Sequence, residues 1–203
     1  LEKLADADAF RSMGLDRRQA LWEVSALADT PVVLFEGQPS ESVTEAQVAL
    51  PFMSAGEQVL QDYAATSLSL KAHPVSFVRE KLKLLHVLTA NELKEKKDGD
   101  LVKVAGLVLV RQRPGTASGI CFMTIEDETG NANLVVFQKL FDQFRKTILQ
   151  SKLIMVEGRL QKEGEVIHVI LMRCHNYNKL LGNLTAVQDE EQENVFHKGR
   201  NFK

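Results

Sequence analysis

Hydrophobic and polar residues alternate most regularly between residues 100 and 137, where three apolar-rich runs are separated by turn residues. The first run ends at Pro114-Gly115, and the second ends at the turn Asp127-Glu128-Thr129-Gly130. Alternation with a period of two, bounded by Pro, Gly and Asp, is typical of antiparallel strands. The pattern therefore predicts three successive strands.

The alternation also divides each predicted strand into a core side and an outer side, because successive side chains of a strand point to opposite faces. One side of the first strand is rich in valine, while the other carries Lys103 and ends in Arg111 and Arg113. Gly106 interrupts this strand and predicts a bend or bulge that lets a small sheet curl into a barrel. We expect the three cations on the outer side.

The second and third strands continue this outer side. Phe122 shares its side of the second strand with Thr124 and Glu126, which is a poor place for a core residue. Asn133 and Phe137 lie on the corresponding side of the third strand. An aromatic ring among polar neighbours is well placed to stack on a flat ligand.

A helix and two more strands follow the first three strands. Apolar residues at helical spacing predict a helix over 139–150, and strands over 151–163 and 165–174 meet at the turn Glu163-Gly164. Three strands, a helix and two strands form the element order of an OB-fold, a small barrel that binds oligonucleotides or oligosaccharides. The sequence predicts an α+β fold, with an N-terminal helical segment followed by a five-stranded OB-fold β-barrel.

Two helical regions precede the predicted barrel. In the first, Gly14 is expected to end one short helix and Asp16 to cap the next, which begins near Arg17 and Arg18. These arginines are candidate phosphate contacts because they lie beside a helix start. The alternative is that they are simply solvated. In the second region, Ser54 begins a helix with a capping box.

Three histidine and cysteine positions are the candidates for metal ligands. His73 precedes Pro74 at the start of a predicted helix, and no other ligand lies at a suitable spacing, so a hydrogen-bonding role is favoured. Cys174 and His175 are two adjacent candidates, which are too few for a zinc site. The sequence predicts no metal site.

Composition sets limits on the kind of ligand. The net charge of −2 argues against a generally basic nucleic-acid binder, so DNA affinity would depend on local cations, chiefly Lys103, Arg111 and Arg113. The two cysteines are expected to be buried and reduced. No apolar run approaches the roughly 20 residues of a membrane span. We expect a cytoplasmic protein with no membrane contact, and the missing initial methionine indicates a piece of a longer chain.

The run 102–137, followed by IMVEGRLQKEGEVIHVI, resembles the OB domain near the C-terminus of bacterial C-family DNA polymerases, the DNA polymerase III alpha subunits. The RQRPGTASG connection, the preceding LSLKAHPVSFVRE and the final GRNFK are most similar to the error-prone alpha subunit, ImuC. A weaker similarity is to the anticodon-binding OB domain of aspartyl- and lysyl-type tRNA synthetases, in which a base-stacking phenylalanine matches Phe122. A tRNA-binding appendage would need a synthetase domain downstream.

The resemblance implies five segments. They are the end of a helix-hairpin-helix region at 1–29, a linker at 30–56, a helical connector at 57–97, an OB-fold nucleic-acid-binding domain at 98–175 and a flexible C-terminal tail at 176–203.

The resemblance also implies a function. The parent would be an error-prone, translesion DNA polymerase that acts in DNA repair and damage-induced mutagenesis. Its catalytic carboxylates and Mg²⁺ would lie in a palm domain upstream, so this chain is expected to carry no catalytic residue and no cofactor. Single-stranded or primer-template DNA is the expected ligand of the outer face. The candidate contacts are Lys103, Arg111, Arg113, Phe122, Asn133, Phe137 and His168.

An interaction module is the competing hypothesis. Gln47, Leu50 and Phe52 match the QxxLxF spacing of peptides that bind the sliding clamp. On this interpretation the chain anchors the polymerase to ImuB or to the clamp. The alternative is that Leu50 and Phe52 pack on the following helix. For the outer face, the alternative is that the helices of 54–97 or a partner subunit cover it and bury Phe122.

Overall fold

The computed structural model describes residues 1–27, 50–116, 118–182 and 200–202, the last three by their backbone alone. Gln47 and residues 183–199 of the predicted tail therefore lie outside the described residues. The chain divides into two compact units, Leu1–Leu68 and Ser69–Lys203. Each unit is described by itself below.

The first unit is helical. It contains α1 (Glu2–Asp6), a 3-10 turn (Arg11–Met13), α2 (Arg17–Leu27) and α3 (Ala55–Thr66). The 3-10 turn ends at Gly14, whose φ of 82° is left-handed, and the Asp16 carboxylate accepts a hydrogen bond from the Gln19 amide at 2.9 Å. Ser54 and Glu57 form the predicted capping box at the start of α3. The helical signals in this part of the sequence are therefore confirmed.

The second unit contains a barrel and, before it, the part of the predicted helical connector that follows Leu68, which is called the connector below. The connector has a 3-10 turn (Pro74–Val78), α4 (Arg79–Leu84) and a second 3-10 turn (Glu92–Glu95). The strands are β1 (Leu101–Gln112), β2 (Cys121–Asp127), β3 (Gly130–Val136), β4 (Leu153–Glu163), β5 (Val166–Asn176) and β6 (Arg200–Phe202). α5 (Gln138–Gln143) and α6 (Arg145–Gln150) stand where one helix was predicted, and α7 (Asn178–Gly182) follows β5.

Five strands close into a barrel in the order β1-β2-β3-β5-β4, because β1 pairs with both β2 and β4. All pairings in the closed barrel are antiparallel except the one between β3 and β5, which is parallel. The predicted OB-fold barrel after an N-terminal helical part is confirmed.

β1 changes partner halfway along its length. Residues 101–107 pair with β4, and residues 107–112 pair with β2. Gly106 lies at this change, where a Cβ would be 2.5 Å from the Glu126 carbonyl oxygen. A β-bulge follows, between Val108 and Val110. Gly106 thus permits the close approach of the β1 and β2 backbones. The bulge predicted at Gly106 occurs two residues later, after Val108.

The barrel interior is filled by alternate residues of the strands and closed by α5 and α6. Its buried side chains include Val104, Val108, Met123, Ile125, Leu134, Val136, Phe141, Ile148, Ile154, Val156, Leu160, Val169 and Leu171. Both cysteines are buried and unpaired, as predicted, and burial raises the pKa of the Cys174 thiol to about 11.

Part of the outer side of the barrel is also covered. Ala105 of β1 and Met155 of β4 are paired residues that lie outside the interior cluster, yet both are buried. Val75 and Val78 of the first connector turn and Leu181 of α7 are buried as well, and α7 contacts both this turn and β4. The outer side of the β1–β4 pair is therefore not available to a ligand around Ala105 and Met155.

No helix among residues 1–27, 50–116 and 118–182 is long and apolar enough to cross a membrane.

Candidate nucleic-acid interface

The outer side of β2, β3 and β5 forms the open part of the barrel surface. Phe122 of β2 is 38% exposed, and Phe137, directly after β3, is 46% exposed. The predicted separation of Phe122 from the core is thus observed, and the connector does not bury it. We call this surface the β2-β3-β5 face and define it by Phe122, Thr124, Asn133, Val135, His168 and Ile170.

Register arranges these six residues in two rows that cross the strands. One row is apolar and consists of Phe122, Val135 and Ile170, each opposite the next on the neighbouring strand. The other row is polar and consists of Thr124, Asn133 and His168. An apolar row that can contact the plane of a base thus lies beside a polar row that can reach its edge.

Asn133 is oriented by its neighbour in the polar row. The Thr124 hydroxyl donates a hydrogen bond to Asn133 Oδ1 at 3.1 Å. This occupies the amide oxygen, and the Nδ2 group makes no hydrogen bond within the described parts of the chain. Asn133 therefore presents a donor to a ligand.

His168 lies between Asn133 and Gln161 in register and is half-buried. Its Nδ1 atom is buried without a hydrogen-bond partner among the described residues. Nδ1 thus lies on the inner side of the ring, so Nε2 is the nitrogen that can meet a ligand on the β2-β3-β5 face.

The placement predicted for Arg111 is wrong. The bulge between Val108 and Val110 reverses the alternation of β1, and Arg111 is 4% exposed. Its guanidinium donates a hydrogen bond to the Ile148 carbonyl at 2.7 Å and another to the Ser151 carbonyl. Arg111 satisfies the last carbonyls of α6, and burial lowers its pKa.

The other two predicted cations, Arg113 and Lys103, lie at opposite ends of β1. Arg113 is exposed at the start of the β1–β2 loop, where its guanidinium lies 4.6 Å from the centre of the Phe141 ring. Lys103 forms an ion pair with Glu157 of β4 at 3.5 Å. Lys103 lies in the half of β1 that pairs with β4, nine residues before Gln112, the residue opposite Phe122, so Lys103 is not part of the β2-β3-β5 face.

Arg159 is a cation that the sequence analysis missed. It lies opposite Ile170 and therefore continues the apolar row onto β4, and it is exposed. The signal was present in the sequence, because the alternation of β4 places Glu157, Arg159 and Gln161 on one side. Arg159 thus flanks the β2-β3-β5 face on β4, while on β1 the exposed Gln112 lies opposite Phe122 and Arg113 is the next residue along the chain.

In the first unit, the structure does not support Arg17 as a phosphate contact. Arg17 is 4% exposed, forms an ion pair with Asp62 and donates a hydrogen bond to the Gln58 carbonyl at 3.1 Å. Arg18 is partly exposed and donates a hydrogen bond to the Pro51 carbonyl at 2.9 Å. These arginines join α2 to α3 and to the segment before it, so neither is simply solvated.

Two of the three predicted clamp-binding residues, Leu50 and Phe52, are among the described residues. Leu50 is half-buried and Phe52 is 83% exposed, which contradicts the alternative that Phe52 packs on the next helix.

His73 is a capping residue, as expected. Its Nδ1 accepts a hydrogen bond from the Val75 amide at 3.2 Å. Among the residues whose placement is described, no three His, Cys, Asp or Glu side chains form a metal-binding group.

The comparisons with known proteins agree with this geometry. Residues 102–175 match the family model for the OB-fold nucleic acid binding domain. The closed five-stranded barrel therefore has the OB fold that this family model describes.

Over most of its length the chain is similar to error-prone DNA polymerases. It is 53% identical over 189 residues to Error-prone DNA polymerase 1 of Rhizobium meliloti (strain 1021), which covers 91% of this chain and 17% of that protein. It is 47% identical over 195 residues to Error-prone DNA polymerase of Caulobacter vibrioides, which covers 94% of this chain and 18% of that protein. The resemblance to the error-prone polymerases is confirmed, and the chain spans less than a fifth of the length of these relatives.

Among solved structures, asparaginyl-tRNA synthetase from Pyrococcus horikoshii aligns with a TM-score of 0.39 and 23% identity, over 45% of this chain and 23% of that chain. A similarity of this size supports no conclusion about function.

Proposed function

We propose that this chain is the part of an error-prone, translesion DNA polymerase that holds the single-stranded template on an OB-fold domain. The observation that carries the proposal is the row of the exposed Phe122 and the half-buried Val135 and Ile170 beside the polar row of Thr124, Asn133 and His168. Single-strand binding proteins combine such stacking surfaces with cations that follow the backbone.

The flanking arginines define a path for the strand. From Phe122 the row passes over Val135 and Ile170 to Arg159, which is three steps between neighbouring strands. At about 4.8 Å per step this is about 14 Å, enough for a few nucleotides. At the opposite end Gln112 of β1 lies opposite Phe122, and Arg113 follows it at the start of the β1–β2 loop, so one guanidinium lies in the row and another one residue beyond its other end.

The two rows have different tasks in this proposal. Phe122 stacks on a base, which needs no particular sequence because every base has an aromatic face. The Nδ2 group of Asn133 donates to an acceptor on the base edge. Since the Thr124 hydroxyl holds the amide oxygen, the donor is preorganised and loses little freedom on binding.

Catalysis is assigned to another part of the parent protein. A polymerase holds two metal ions about 4 Å apart on clustered carboxylates. We propose that the Mg²⁺ ions and these carboxylates belong to a palm domain outside this chain, and that the parent acts in DNA repair and damage-induced mutagenesis. Asp127 and Glu128 are turn residues that bind Arg79, which fits a non-catalytic role.

Phe122→Ala tests the proposal. Loss of one stacked base contributes roughly 1–3 kcal/mol, so we expect the Kd for a short single-stranded oligonucleotide to rise about tenfold or more. Fluorescence anisotropy at fixed low salt measures it. Leu84→Ala is the matched control, because Leu84 is an 81% exposed apolar residue of α4 and its loss should leave the Kd unchanged. Equal affinities of wild-type and Phe122→Ala would refute the stacking role.

A second candidate function is anchoring to the sliding clamp or to ImuB, and the exposure of Phe52 favours it. An anchor residue of a short linear peptide must be free to enter an apolar pocket on the partner. Phe52→Ala should then abolish capture of this chain by the clamp while oligonucleotide binding stays unchanged. Unaltered capture would exclude Phe52 as the anchor.

A further inference from the structure

The β2-β3-β5 face has few cations for a surface proposed to hold nucleic acid. Its two rows contain no Lys or Arg, and Arg111 and Lys103 are engaged elsewhere in the barrel. Contacts between cations and phosphates supply much of the affinity for nucleic acid. With Arg159 as the cation in line with the apolar row and Arg113 one residue beyond Gln112, more positive charge is needed close to this surface.

The backbone shows where such charge can come from. β6 pairs with β1 in parallel, with Arg200 opposite Val110, Asn201 opposite Arg111 and Phe202 opposite Gln112. β4 pairs with β1 only as far as Leu107, so the edge of β1 beyond that residue is left for another strand. An unpaired strand edge presents free N–H and C=O groups that favour the addition of a strand.

The composition of the C-terminal segment suits an anionic ligand. Residues 194–203, NVFHKGRNFK, contain three Lys or Arg and no Asp or Glu, whereas the preceding DEEQE is acidic. A parallel strand runs in the same direction as its neighbour. β6 therefore runs toward the β1–β2 loop, the end of β1 that carries Arg113.

We propose that β6 is a docking strand which adds to the free edge of β1 and brings Arg200 to the β1–β2 loop end of the β2-β3-β5 face. This inference rests on the proposed function, because the charge of Arg200 adds to the cations available to the same single strand. The occupant of the edge is residues 200–202 of the chain itself. The chain between Gly182 and Arg200 can span up to about 60 Å when extended, so covalent geometry permits docking within one molecule.

Hydrogen exchange tests the docking independently of any ligand. In Asn201→Pro the proline removes a backbone donor and restricts φ in the middle of β6, and in a chain truncated after Gly199 the strand is missing. We expect amides of residues 110–112, the part of β1 that pairs with β6, to exchange faster in both variants than in the full chain. Peptides from β3 are the internal control, since β6 does not pair with β3. Unchanged protection of 110–112 in the truncated chain would overturn the docking.

Salt dependence tests the contribution to binding. Arg200→Gln should lower affinity for a 12-nucleotide single strand and reduce the slope of log K against log salt by up to about 0.7, the value for one phosphate contact. The matched control is Lys81→Gln, which removes an exposed lysine of the connector and should leave the slope near that of wild-type. A slope equal to that of wild-type in Arg200→Gln would overturn the charge contribution.

The outcomes separate this inference from the proposed function. If the full chain binds no oligonucleotide, the proposed function fails, while the exchange experiment still decides whether β6 docks. If the full chain binds and the variants of β6 bind equally well with the same slope, the inference alone fails.

Discussion

Arg79 and Asp127 form a buried ion pair in which Nη2 and Oδ2 lie 3.1 Å apart. Asp127 also accepts hydrogen bonds from the amides of Ala90, Thr129 and Gly130 at 2.7, 2.7 and 3.1 Å. The carboxylate therefore shapes the β2–β3 turn and fastens the connector to it. Because Phe122 and Asn133 stand on these two strands, the ion pair supports the scaffold of the candidate interface.

Asp127→Ala should lower the free energy of unfolding by about 1–3 kcal/mol, since it leaves the amides of Ala90, Thr129 and Gly130 without their acceptor, while Arg79 stays paired with Glu128 alone. Urea denaturation measures the change. Asp142→Ala is the control, because Asp142 is exposed on α5 and its loss should change stability by less than about 0.5 kcal/mol. A loss below about 1 kcal/mol for Asp127→Ala would show that these amides do not depend on the Asp127 carboxylate.

Arg111→Gln should destabilise the barrel and not simply weaken binding. It leaves the Ile148 and Ser151 carbonyls without their donors, each at a cost of about 1–3 kcal/mol. Arg113→Gln, two residues further along, should change stability little because Arg113 is exposed. Denaturation midpoints of both variants are compared, and a normal midpoint for Arg111→Gln would contradict the internal position of this guanidinium.

Gly106→Ala should cost about 1–3 kcal/mol, because the added Cβ would be 2.5 Å from the Glu126 carbonyl oxygen and the strands must move apart. Thermal unfolding measures the loss. Gly182→Ala tests the specificity of this effect: a Cβ added there would have open space around it to 4 Å, so this change should be tolerated. An unchanged Tm for Gly106→Ala would show that β1 and β2 do not approach this closely.

His73 gives the protein a pH-dependent stability. Burial lowers the pKa of His73, and the nearby Glu126, Glu128 and Asp127 only partly oppose this. Below pH about 6.5 the unfolded chain binds a proton that the folded chain resists, so stability should be complete above this pH and fall as the pH decreases.

The slope expected from His73 is at most about 1.4 kcal/mol per pH unit. His73→Asn keeps a side chain that can cap the helix and removes the titrating group, so its stability should depend less on pH below about 6.5. Urea denaturation at several pH values measures both proteins. Parallel profiles for the two would exclude His73 as the source.

Arg159→Gln should reduce the salt slope of single-strand binding by about 0.7, the value of one phosphate contact. Arg173→Gln removes an exposed charge from the facing strand β5 and is the comparison, because Arg173 lies opposite Glu157 and outside the two rows. Oligonucleotide titrations at several salt concentrations give the slopes. Equal slopes for the two variants would show that Arg159 does not contact a phosphate of the bound strand.

Alternation along the strands was sufficient to predict the barrel and the exposed side of β2 and β3. Phe122 and Asn133 follow from it directly, because the register of these strands is regular over seven residue pairs. Arg159 could have been found in the same way.

Arg111 could not be placed by alternation, since a single extra residue at the bulge exchanges the two sides of β1. Arg17 and Arg79 illustrate a different limit. Their partners Asp62 and Asp127 lie 45 and 48 residues further along the chain, and no local pattern indicates which carboxylate a distant guanidinium meets.

The parallel contact between β3 and β5 joins only three residue pairs, compared with seven between β2 and β3 and ten between β4 and β5. It is the shortest strand pairing of the closed barrel, and Asn133, Val135, His168 and Ile170 are among its paired residues. A polynucleotide bound over these side chains would contact β3 and β5 at the same time. Binding would therefore stabilise the closed barrel, and closure of the barrel would in turn favour binding.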